Sequence, residues 1–84
     1  MNTQRILEEL LALLESKGIK VRYDSLGGQG GGLCKLKEGQ IFFVDTDMRT
    51  FDMAALCAET VAKVIDIEKI YLRPEIREFI EKHS

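Results

Sequence analysis

The chain has 84 residues, 12 of them basic and 14 acidic, for a formal net charge of −2. That length holds one domain and not two, and the charge lacks the basic excess typical of a DNA-binding domain. No apolar run approaches the ~20 residues of a membrane span, and a domain this small folds with so thin a margin that burial between copies would add to its stability.

In chain order, residues 3–17 read as a helix. Ile6, Leu7, Leu10, Leu11 and Leu14 recur at helical spacing, Asn2 or Thr3 can cap the start, and Gly18 supplies a C-terminal stop. Glu8 and Glu9 interrupt this apolar stretch and no small-residue cleavage site follows, so a signal peptide is not expected. Residues 19–25 switch to period two. Ile19, Val21 and Tyr23 alternate with Lys20, Arg22 and Asp24, which predicts a half-buried strand. The segment LGGQGGGLC, residues 26–34, holds Gly27, Gly28, Gly30, Gly31 and Gly32 around Gln29.

Two further strands flank a Glu38-Gly39 turn. Pairing Lys37 with Gln40 puts Cys34, Leu36, Ile41 and Phe43 on one face, and Leu33, Lys35, Lys37, Phe42 and Val44 on the other. The strand IFFV is then apolar on both sides, whereas a two-layer domain needs only one apolar face. Leu33, Phe42 and Val44 are therefore candidates for an interface with a partner subunit. Residues 50–66 form a second helix, capped by Thr50 with Asp52 in its first turn. Its polar stripe is Asp52, Glu59, Lys63 and Asp66, and Phe51, Ala55, Ala58, Ala62 and Ile65 lie opposite. Residues 67–73 connect through Ile67, Ile70 and Leu72 to a last helix that opens on Pro74. The expected fold is a single α+β domain over residues 1–84, in the order αβββαα, with a three-stranded, mainly antiparallel sheet packed against helices.

The glycine loop fits neither standard phosphate pattern. No Gly-Lys-Ser/Thr follows it, and a strand stands where a dinucleotide fingerprint needs a helix. Its residues, Gly27 to Gly32, remain candidates for binding a small ligand or nucleotide, beside the simpler reading of a flexible connection with positive φ or close backbone approach. Asp45 and Asp47, in VDTD, close an apolar strand. They read as turn and capping chemistry before the second helix, since Arg49 breaks the dehalogenase-type pattern DxDx[TV] and an EF-hand loop would need other residues.

Cys34 and Cys57 read as buried thiols of a reducing cytoplasm. The single histidine, His83, is close to the end of the sequence. Two cysteines and one histidine cannot close a tetrahedral zinc site, and no nucleophile has a base beside it. Neither enzyme chemistry, a metal nor a cofactor is expected. Lys20, Arg22, Lys35 and Lys37 around Phe42 suggest a basic sheet face for single-stranded nucleic acid, a partner the acidic balance disfavours.

The combination GIKVRYDSLGGQGGGLCKL, IFFVD and IYLRPEIREFI resembles a family of short uncharacterised bacterial proteins, which implies a bacterial source and no particular activity. Residues 18–66 are also remotely similar to the scaffold of small HExxH metallopeptidases. There CAETVA would replace the zinc motif, Glu59 would match the general base, and Ala58 and Ala62 would stand where the zinc histidines belong. That resemblance implies a scaffold without peptidase chemistry. The function expected is a non-catalytic, cytoplasmic, homo-oligomeric protein-interaction module, with ligand binding at the glycine loop as the alternative.

Overall fold

The computed structural model describes residues 2–84. Its elements are α1 (Thr3–Ser16), β1 (Lys20–Asp24), β2 (Gly32–Leu36), β3 (Gly39–Asp45), α2 (Thr50–Val64), a short 3-10 turn (Ile67–Lys69) and α3 (Pro74–His83). The fold is α+β in the expected order, αβββαα.

Helix α1 begins where Asn2 accepts a hydrogen bond from the Arg5 N–H at 2.8 Å. It ends where Gly18, at φ 82°, turns the chain while the Gly18 and Ile19 amides donate to Glu15 and Leu14 carbonyls. Leu7, Leu10, Leu11 and Leu14 are buried. Helix α2 differs from expectation at its start. Its N-cap is Arg49, with no side-chain cap, so Thr50 is the first helical residue and Asp52 alone complements the dipole. Its buried residues run through Met53, Ala54, Cys57, Ala58 and Val61, whereas Phe51 is half exposed. Phe51 packs edge-on against Phe79 and His83 of α3, with ring centroids 5.9 Å and 5.4 Å apart.

The sheet is mixed, with strand order β1-β3-β2. The β2–β3 hairpin is antiparallel, and β1 pairs with β3 in parallel, Lys20 opposite Ile41 through Asp24 opposite Asp45. The hairpin turn lies one residue earlier than expected, with Leu36 opposite Gly39 and Cys34 opposite Ile41. Gly39, at φ 142°, tolerates that geometry. The slip moves each pairing by two positions, so every side chain keeps its predicted face.

Phe42 and Val44 belong to the core cluster with the α1 leucines and with Met53, Cys57 and Val61 of α2, at 0% and 4% exposure. Helices of the same chain therefore cover them, and the expectation that a partner subunit would do so is corrected. Leu33 is half-buried and packs against the same cluster, so it too serves the monomer. Leu72, Ile76 and Ile80 close the core from the α3 side. Among the described residues no helix is long and apolar enough to cross a membrane.

Because Phe42 is a core residue of the isolated chain, Phe42→Ala should lower unfolding free energy by about 3–5 kcal/mol. Urea denaturation at low protein concentration measures it. A residue buried only between subunits would leave that value unchanged.

Candidate functional site

The topology dictates the local problem. Strand β1 ends beside the end of β3, and β2 must start on the other side of β3 running the opposite way. Residues 25–31 therefore cross over the C-terminal end of the central strand, as a strap. Backbone crossing there brings amides that need acceptors.

Asp45 supplies them. Its Oδ1 accepts from the Leu26 N–H at 3.0 Å and the Asp47 N–H at 2.9 Å, and its Oδ2 accepts from the Gly30 N–H at 2.9 Å. The residue is 1% exposed. Burial pushes its carboxyl above the usual value of 3.8, but the amides of Asp47, Gly30, Leu26 and Gly28 together outweigh this and hold it lower. Asp47 repeats the device at the rim, where its Oδ2 accepts from the Gly27 N–H at 2.9 Å and from the Ser25 hydroxyl. The Asp45 carbonyl accepts from Met48 N–H, which closes the turn before α2. The aspartates do form a turn, but their side chains reach back to the loop and leave the N-terminus of α2 uncapped. That corrects the capping part of the sequence reading.

The glycines divide by role. Gly27, Gly28 and Gly30 have φ of 75°, 79° and 89°, a region costly for other residues. Gly31 passes so close to β3 that a Cβ there would lie 1.8 Å from the Phe43 carbonyl oxygen. Gly32 opens β2 opposite Phe43, and Gln29 is exposed at the tip. A shallow open depression of about 340 Å³ beside the strap is lined by Leu26, Gly30, Gly31, Gly32, Leu33, Cys34 and Phe43.

The face of the sheet turned away from the helices carries Cys34, Leu36, Ile41 and Phe43. None of the four packs against the core cluster, and Leu36 is half exposed. Cys34 is thus a half-buried thiol on an edge strand, contrary to the expectation of a buried one. Cys57 is fully buried, and burial pushes its thiol up to about 12. His83 lies tilted against Phe79, 4.4 Å between ring centroids, in the aromatic cluster with Phe51.

The basic residues do not share one face. Lys20 and Arg22 stand opposite Ile41 and Phe43, Lys35 stands opposite Gln40 beside Phe42, and Phe42 is inaccessible for stacking. Glu59 is exposed and pairs with Lys63 at 3.2 Å, while Ala58 lies in the core. Among the described residues no group of three or more His, Cys, Asp or Glu could hold a metal ion. Comparison with protein families, with characterised proteins and with solved structures finds no match to this chain.

Asp45 has a lowered folded pKa, so its contribution to stability is full above 3.8 and is lost as pH falls from there through the lower folded value. Stability of the wild type should drop in that acid window, and Asp45→Asn should be destabilised at pH 7 with a flatter acid profile, both read by thermal unfolding. Gly31→Ala should cost about 1–3 kcal/mol through overpacking at β3, measured by urea denaturation at neutral pH.

Proposed function

We propose that this domain is a non-catalytic protein-interaction module whose leading partner is a second copy of itself. The observation that supports the reading is an unfinished sheet, three strands wide, whose helix-free face presents Cys34, Leu36, Ile41 and Phe43. Uncovered apolar area of that kind on a small domain favours association, since burying it is worth roughly 25 cal/mol per Å². A bacterial, cytoplasmic setting accords with the family resemblance and the free thiols.

A second reading places a small apolar ligand in the depression beside the strap. Phosphate or nucleotide recognition by the loop amides is disfavoured. The N–H groups of Leu26, Gly27 and Gly30 already serve the Asp45 and Asp47 carboxylates, so the loop has its anions built in.

Light scattering across a micromolar concentration series should give a mass that rises above the 9.5 kDa of one chain. A constant monomer mass overturns the self-association reading. Thermal-shift measurements with nucleotides and inorganic phosphate should show no stabilisation, and a clear upward shift would restore the phosphate reading of the loop.

A further inference from the structure

Strand β1 is an edge strand, and its free side has a defined hydrogen-bonding pattern. Asp24 stands opposite Asp45, and the Asp24 carbonyl accepts from Thr46 N–H at 2.9 Å. In a parallel pair, the residue whose carbonyl reaches the neighbour also points its N–H there, and the sides alternate along the strand. Lys20, Arg22 and Asp24 thus bond toward β3, and Val21 and Tyr23 aim their N–H and C=O outward. Tyr23 is 61% exposed. Such an edge is a template for another strand unless something blunts it; β1 contains no proline, but it carries Lys20, Arg22 and Asp24, so a second strand has to match these charges.

We infer that two copies of this chain pair antiparallel through the β1 edge, with Tyr23 of each copy at the two-fold axis. This rests on the self-association proposed above and assigns it to the strand edge, a contact separate from the helix-free face. A two-fold axis normal to the sheet can centre on any of the three interior residues of β1. Centring on Val21 sets Lys20 against the second copy's Arg22, a like-charge contact. Centring on Arg22 sets Lys20 against the second copy's Asp24 but forces the two Arg22 side chains against each other at the axis. Centring on Tyr23 sets Arg22 against the second copy's Asp24 on both sides of the axis. It makes Tyr23–Tyr23 the hydrogen-bonded pair at the axis, in keeping with the outward groups of Tyr23, and it alone of the three carries no like-charge contact. Opposite charges directly across an antiparallel pair stabilise it, and like charges destabilise it.

Among the described residues Arg22 and Asp24 take part in no ion pair within the chain, so both are available. The sequence Arg-Tyr-Asp is complementary to itself when reversed, which is the property an isologous contact requires. The other edge lacks it, because β2 carries Lys35 and no acidic residue. The resulting sheet has six strands, β2-β3-β1 joined to its symmetry mate, and on its helix-free side Lys20, Arg22 and Asp24 of both copies form a charged stripe between the two apolar patches.

The test is a charge swap read by sedimentation equilibrium on the full chain. Arg22→Asp and Asp24→Arg each place like charges across the axis, and each should weaken dimerisation about tenfold. The double variant R22D/D24R should restore it to within about threefold of wild type. Amide exchange gives an independent readout: the Val21, Tyr23 and Ser25 amides should slow as protein concentration rises. Association that ignores both reversals, or a double variant as weak as the singles, overturns the β1 pairing and leaves the interaction module standing. A wild type that stays monomeric overturns both.

Discussion

The fold turns on one carboxylate. Strand β3 is the centre of the sheet, and the chain has to pass over its end to get from one edge to the other. A loop crossing the end of a strand carries donors that the strand cannot satisfy, since the ladder runs sideways. Asp45 stands at the last position of β3 and turns its oxygens upward into that loop. Its ionised form is stabilised by the same amides that it orders. Glycine is required on the other side of the bargain, because the crossing needs both positive φ and, at Gly31, a backbone without a Cβ. The strap and the aspartates are one device.

This explains why some parts of the molecule were legible and others not. Helix α1 is written in local signals: a capping asparagine, a leucine stripe and a terminal glycine. The β2–β3 hairpin is local as well, and its one-residue error arose because Lys37-Glu38 and Glu38-Gly39 are both workable turns. Parity preserved the faces, so the assignment of Ile41 and Phe43 to one side and Phe42 and Val44 to the other survived. What patterning cannot say is which apolar face a helix will take. Phe42 and Val44 looked like surplus because the sequence does not reveal that α1 and α2 lie on the same side of the sheet.

The link between loop and aspartates was harder still. Leu26 and Gly30 are separated from Asp45 by 19 and 15 positions, and nothing periodic joins them. The connection depends on the parallel placement of β1 beside β3, a non-local choice. The clue present in the sequence was compositional: more glycines than a turn needs, followed by paired carboxylates at a strand end. Read together, they describe donors and acceptors awaiting each other. Read separately, they suggested a phosphate loop without its lysine and a metal site without its ligands.

One consequence concerns how this molecule reports on itself. It has no tryptophan, and its two tyrosines stand outside the core, Tyr23 at 61% and Tyr71 at 85% exposure. Their ultraviolet emission is therefore nearly blind to melting of the interior, where phenylalanine is the only aromatic present. The optical signal belongs to the surface, and one of its two sources, Tyr23, stands on β1. In this protein tyrosine fluorescence would register any strand that came to lie against that edge, and the state of the core has to be followed by other means.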